Sequence, residues 1–226
     1  MELLVFGHAG RPVLFFPTRM ARFFDYENWG IVNAVKDKIE RGEIQLYCVD
    51  STDKESFYNQ SVHPSVRIAR YLQYEQYILN EVLPVMRGPY NIQHIEVAGC
   101  SMGAYHAVNI AFKHPGLFKK VVAMSGRYDL TVAITDFKDL FDGFNNEDVY
   151  FNMPLQYMAN LNDINQLMPL RNTEIVLVIG QMDPFLQSNH RLSTLLNNKD
   201  IPHKLYEWNG YAHRPFHWRR MAQLYL

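Results

Sequence analysis

Gly99-Cys100-Ser101-Met102-Gly103 stands where one periodicity gives way to another. Before it, Ile92 to Ala98 reads as a short strand. After it, apolar residues fall at Ala104, Ala107, Val108, Ala111 and Phe112, the spacing of a helix with one buried face. A serine at so sharp a strand-to-helix turn has its hydroxyl pushed out of the sheet. The two glycines let neighbouring backbone pass close by, and the first helical N–H groups point to where an oxyanion would form. In that setting the pentapeptide predicts a nucleophile; a Gly-rich turn with an incidental serine is the bland alternative.

On both sides of the pentapeptide, strand-like and helix-like segments alternate. Leu3–Phe6 and Val13–Phe16 flank Gly7-His8-Ala9-Gly10, which reads as a tight hairpin. A helix-period segment from Trp29 to Arg41 is closed by Gly42, and Ile44–Val49 is the next strand. Asp50–His63 is polar and turn-rich. Pro64 opens a long helix with Ile68, Leu72, Ile78 and Val82 on its apolar face, expected to end before Pro84. Beyond the pentapeptide come strands at Val121–Met124, Ile175–Ile179 and Lys204–Trp208, with helices over Phe185–Leu196 and through Arg219–Leu224. Uninterrupted Val/Ile/Leu strands between amphipathic helices predict an α/β fold, a mostly parallel sheet covered on both faces. Arg127–Arg171, rich in Asn, Asp, Phe and Tyr, fits the alternation poorly and reads as a small lid or cap inserted above the sheet. Residues 1–226 are expected to form one domain.

The bulk numbers narrow the function class. The net charge is −1, from 22 basic and 23 acidic residues, so there is no field to attract nucleic acid or an anionic membrane. No apolar run approaches a membrane span, and the first residues lack the features of a secretory signal. Two cysteines, Cys48 and Cys100, make no disulfide framework, and a reduced, cytoplasmic setting is the default.

A serine hydroxyl needs a base, and the base needs an orienting acid. In such a sheet the active groups sit at the carboxyl ends of strands, in the chain order Ser, Asp or Glu, His. Asp183, in Gly180-Gln181-Met182-Asp183-Pro184, and His213, in Gly210-Tyr211-Ala212-His213, satisfy that order just past two predicted strands. Asp183 before Pro184 also suits a plain helix cap, and Asp129 is the substitute acid. His217 is the competitor of His213, and His203, His213 and His217 lack the accompanying ligands of a metal site. No cofactor or metal is implied.

With those residues in place, the chain resembles the α/β-hydrolase superfamily, and within it the small serine esterases of the esterase D and Putative esterase group. The resemblance rests on Gly99-Cys100-Ser101-Met102-Gly103, on Met182-Asp183-Pro184, and on Ala212-His213-Arg214-Pro215-Phe216-His217-Trp218, where a Trp follows His213 by five residues. It implies ester hydrolysis through an acyl-enzyme, with Ser101 as nucleophile, His213 as base and Asp183 as acid. The oxyanion donors it implies are the N–H of Met102 and that of Thr18 or Arg19. One departure stands out: after the early strand such enzymes carry His-Gly, whereas here Phe16-Pro17-Thr18-Arg19 follows, and Pro17 cannot donate. The partner expected is a small-molecule ester, with a short acyl group favoured by an aromatic rim of Tyr128, Phe137, Phe141 and Phe144. Arg19, Arg22 and Arg214 raise the option of an acidic substrate. An acyltransferase or thioesterase would use the same acyl-enzyme, and a binding protein could keep the fold without catalysis. Oligomeric state is not legible.

Overall fold

The computed structural model describes residues 1–88, 92 and 94–226. Seven strands form one sheet: β1 (Leu3–Phe6), β2 (Arg11–Phe16), β3 (Ile44–Val49), β4 (Ile95–Cys100), β5 (Phe118–Met124), β6 (Glu174–Gly180) and β7 (Lys204–Trp208). Their order across the sheet is β1-β3-β2-β4-β5-β6-β7, parallel except for β1, which runs antiparallel on the edge of β3. The direction of winding reverses between β2 and β4, so the loops that leave their carboxyl ends face a common crevice, where α/β sheets bind ligands.

The expected hairpin of Leu3–Phe6 with Val13–Phe16 does not form. β3 lies between the two strands, pairing Phe6 with Leu46 on one side and Arg11 with Ile44 on the other. Burial explains why. Val13–Phe16 is buried on both faces and takes a parallel neighbour on each edge, whereas β1 is half-exposed and serves as an edge. The Gly-rich turn instead carries the chain across the start of β3. At Gly10 (φ +97°) a Cβ would meet the Glu43 carbonyl carbon at 2.3 Å, so only glycine fits that crossing.

The helices cover both faces. One face carries α1 (Asp25–Asn28), α2 (Ile31–Ala34), α3 (Lys36–Glu40) and, from the end of the chain, α11 (Pro215–Tyr225). The other carries α4 (Pro64–Tyr77), α5 (Leu83–Arg87), α6 (Met102–Lys113), α8 (Pro154–Asn160) and α10 (Leu186–Asn198), with α7 (Glu147–Tyr150) and α9 (Ile164–Arg171) in the β5–β6 connection. β2 shows the division: Val13 and Phe15 pack with Ile31 and Met221, Leu14 and Phe16 with Tyr74 and Tyr105. Each such side chain contributes about 2 kcal/mol of burial free energy.

Several boundaries differ from expectation, three of them for a reason visible in the backbone. The segment from Trp29 to Arg41 is split into short helices because Gly30 is left-handed (φ +70°) and Val35 leaves helical geometry (φ −107°). Pro84 does not end the long helix. A π turn at Ile78–Val82 widens the coil just before it, and Pro84 then sits in the first turn of α5, where its missing N–H costs least. The pentapeptide strand starts at Ile95 rather than Ile92; of the predicted run, Gln93 lies outside the described residues.

Cys48 and Cys100 are both buried and unpaired. Burial pushes the Cys48 thiol from an ordinary 9.0 up to about 12, and the Cys100 thiol up as well. A disulfide-exchange reagent at pH 8 is therefore expected to leave both thiols untouched until guanidinium unfolds the chain. Because these folded values lie above the unfolded ones, their contribution to stability is complete below pH 9 and is lost as pH rises from there towards 12. A thermal melt series across that range reads the loss.

Candidate active site

Ser101 caps the start of α6 with φ +56° and ψ −114°, a strained conformation for a residue with a Cβ. The flanking glycines make the turn possible. A Cβ on Gly99 would sit 2.2 Å from the Gly103 carbonyl, and one on Gly103 would sit 2.2 Å from the Phe16 carbonyl oxygen. The nucleophile turn is thus in backbone contact with the end of β2. Tyr26 adds a second tie: its hydroxyl donates to the Phe16 carbonyl (2.6 Å) and accepts from the Cys100 N–H (3.0 Å).

His213 reaches across to this turn. Its Nε2 lies 3.0 Å from Ser101 Oγ, and its Nδ1 lies 2.8 Å from Asp183 Oδ2. Phe185 and Trp218 meet the imidazole edge to face, at 5.5 and 5.3 Å between ring centres, and restrict its rotation. Asp183 is fully buried at its side chain and uses both oxygens: Oδ2 for His213, and Oδ1 to accept the Phe185 N–H at 3.0 Å. Asp183 is not the cap of α10, whose flanking residue is Phe185; its Oδ1 closes the turn before the helix while its Oδ2 pairs with His213. An Nδ1–H donated to Asp183 leaves the Nε2 lone pair facing the serine hydroxyl.

The other sequence candidates lie elsewhere. Asp129 accepts from the Thr131 hydroxyl (2.6 Å) and from Gln156 (3.1 Å), and His213 bonds to Asp183 and Ser101 instead. His217 lies on α11 and lines a separate cavity with Trp208 and Phe216. His203 is engaged by Ser193 at 2.7 Å. Arg22 is neutralised by Asp50 and Glu2, and Arg214 is exposed outside the pocket. Of the expected aromatic rim, Tyr128 and Phe141 are core residues, Phe144 packs against the core, and Phe137 alone lines the pocket.

The cavity around Ser101 holds about 240 Å³. Thr18, Arg19, Met102, His213, Phe137 and Trp218 are part of its wall. Met102 is the first residue of α6, so its N–H has no partner within the helix. Neither the Thr18 nor the Arg19 N–H donates to protein among the described residues. The next residue is tied down: the Met20 N–H donates to Asp53 Oδ2 (2.8 Å), and Asp53 Oδ1 meets His106 of α6 at 3.3 Å. Asp53 and His106 are 1% and 2% exposed, so a buried pair joins the loop after β2 to the helix after Ser101.

Sequence reasoning did not find Tyr58, Arg127, Leu130 or Phe185, which complete the wall. Arg127 had one available signal, its place three residues past the carboxyl end of β5.

The sequence signature of the Putative esterase family matches residues 25–220. That span begins after Thr18 and Arg19, the loop where the expected His-Gly is missing. Compared with curated proteins, the chain finds no significant match. Among solved structures, a ferulic acid esterase superposes with a TM-score of 0.73 at 18% identity, over 96% of this chain and 83% of that one. An S-formylglutathione hydrolase from Agrobacterium tumefaciens gives 0.71 at 15% identity, over 98% of this chain and 86% of that one. A fluorophosphonate-binding serine hydrolase of Staphylococcus aureus gives 0.65 at 13%, over 98% and 89%. Likeness at these identities establishes the fold, that of the α/β-hydrolases.

Proposed function

This chain belongs to the Putative esterase family and is a carboxylic ester hydrolase; from that premise we propose that it works through Ser101, His213 and Asp183. The observation that carries the reading is the continuous file from Ser101 Oγ through His213 to Asp183, with steps of 3.0 and 2.8 Å. Ser101 attacks the ester carbonyl while His213 takes its proton, and Asp183 holds the tautomer and stabilises the imidazolium. The N–H groups of Met102 and of Thr18 or Arg19 receive the oxyanion, each worth about 3 kcal/mol. His213 then protonates the departing alcohol, and water repeats the cycle to release the acid. Ser101 and His213 are part-buried, which leaves the acyl-enzyme open to attack by water.

The small cavity supports a short acyl group. Arg127–Arg171 supplies Leu130 and Phe137 to the rim, and we read that stretch as a cap on the site within a single domain. The test is hydrolysis of p-nitrophenyl acetate, butyrate and octanoate, with a fluorophosphonate label located by mass spectrometry. Turnover falling from acetate to octanoate and a label on Ser101 are expected; a folded protein with neither turnover nor label overturns the reading.

Asp53 is a positioning residue in this scheme, since it fixes the loop that offers Thr18 and Arg19. Asp53→Asn is expected to lower kcat by about tenfold or more with little change in KM, because a misplaced donor costs transition-state stabilisation. A change confined to KM or to melting temperature would contradict that role.

A further inference from the structure

Two cations face the serine pocket without an acidic partner. Arg127 is 5% exposed, and its guanidinium is held by main-chain carbonyls. Nε donates to Asp129 O (3.2 Å), and Nη2 to the carbonyls of Leu130, Val132 and Lys138 (3.2, 2.7 and 2.8 Å). Nη1 makes no hydrogen bond to protein among the described residues, and the residue lines the pocket. Burial lowers its pKa below that of a free guanidinium, but a guanidinium stays charged at neutral pH. Carbonyl dipoles solvate that charge without cancelling it.

Arg19 is exposed at the mouth, its guanidinium carbon 5.9 Å from the Tyr58 ring centre and 6.0 Å from that of Phe137. Neither arginine has a carboxylate within ion-pair distance among the described residues. Of the other arginines, Arg11, Arg22, Arg41, Arg67, Arg70 and Arg171 are each bridged to an acid, and none of the rest lines the pocket. The Tyr58 hydroxyl makes no hydrogen bond to protein among the described residues. Burial raises its pKa, Asp53 adds to the rise, and Arg19 and Arg127 both pull it down, which places the phenol within the field of both cations. No residue of the pocket wall is acidic, and Asp183 lies behind His213. A role as a staple for the 129–138 loop accounts for Nε and Nη2 of Arg127. It accounts for neither Nη1 nor Arg19.

We propose that Arg19 and Arg127 form an anion subsite, so that the preferred substrates are short esters bearing a carboxylate a few bonds from the scissile carbonyl. The proposal rests on the serine-esterase reading and adds the substrate class. A charge far from the reacting carbon is bound alike in ground and transition states, so the preference should appear in KM rather than kcat.

The experiment compares monoethyl glutarate with ethyl pentanoate, of equal acyl length, by pH-stat, and measures glutarate binding to the Ser101→Ala protein by calorimetry with glutaramide as the neutral control. The hemiester should win by roughly ten- to a hundredfold in kcat/KM, the size of a charge-assisted hydrogen bond. The advantage should shrink with added salt. Arg19→Gln and Arg127→Gln should each erase most of it. Arg127→Gln also loosens a loop, so Arg19→Gln, at an exposed side chain, decides. Equal kcat/KM for the two esters, or a preference unmoved by Arg19→Gln, overturns the subsite and leaves ester hydrolysis standing. Glutarate binding that needs Arg19, without turnover of either ester, upholds the subsite and overturns the esterase mechanism. Neither turnover nor binding overturns both.

Discussion

Alanine at position 101 is expected to cut turnover of p-nitrophenyl acetate by about a millionfold, the cost of removing a nucleophile that acts as a unit with its base. The fold should survive. Ser101 Oγ is bonded to His213, and the strained φ of +56° is carried by the turn, so serine and alanine bear similar backbone strain. Circular dichroism and melting temperature should therefore be close to those of the parent while fluorophosphonate labelling disappears. A residual rate of about 10³ to 10⁴ over water is expected from the oxyanion N–H groups and binding alone. If instead the variant keeps more than about a tenth of its turnover, the nucleophile lies elsewhere. Ser125, at the end of the adjacent strand, would be the nearest alternative by topology, but it is fully buried and accepts from the Trp218 indole.

Much of the fold was legible because β2 to β6 are buried and parallel, and such strands announce themselves as apolar runs, whereas β7 is an exposed edge. Ile44–Val49 and Lys204–Trp208 match the predicted bounds, and the strand predicted at Ile175–Ile179 differs by one residue at each end. What failed was pairing. A Gly-rich turn between two apolar segments has the same local signature whether the chain folds back or crosses a third strand. The choice was made by Val13–Phe16, whose two buried edges needed β3 and β4 as neighbours. Pro84 failed for a related reason: local stereochemistry forbids an undistorted helix there, but tertiary burial of Ile78 and Val82 keeps the axis going through a wider turn.

The file of Ser101, His213 and Asp183 was legible from order along the chain plus position at strand ends. The charge of the pocket was not. Arginine counts near the motif pointed to Arg19, Arg22 and Arg214, yet whether a guanidinium is free depends on partners distant in sequence. Asp50 and Glu2 cancel Arg22, while Arg127, whose bonds are all to carbonyls of its own loop, keeps its charge beside Ser101. Pairing of that kind is a property of the folded chain, and no local pattern encodes it.

Asparagine at position 183 separates the two jobs that Asp183 does. Asn keeps an oxygen for the Phe185 N–H and is as good a turn residue as Asp, so the start of α10 and the melting temperature should hold. Its second group is an amide N–H₂, a donor where His213 Nδ1 now donates. The imidazole must then turn over its tautomer, with Nδ1 as acceptor and Nε2–H aimed at Ser101 Oγ, and it can no longer take the serine proton. The expected loss is about 10⁴ in kcat with KM little changed. Asp183→Ala gives the complementary result: it removes both oxygens, so activity falls and stability falls with it, by about 1–3 kcal/mol for the orphaned N–H. Were Asp183 only the start of a helix, the order would reverse, with the Asn variant fully active and the Ala variant merely less stable. Near-full activity in Asp183→Asn would move the acid elsewhere, and Asp129, freed from Thr131 and Gln156, would be the next carboxylate to replace.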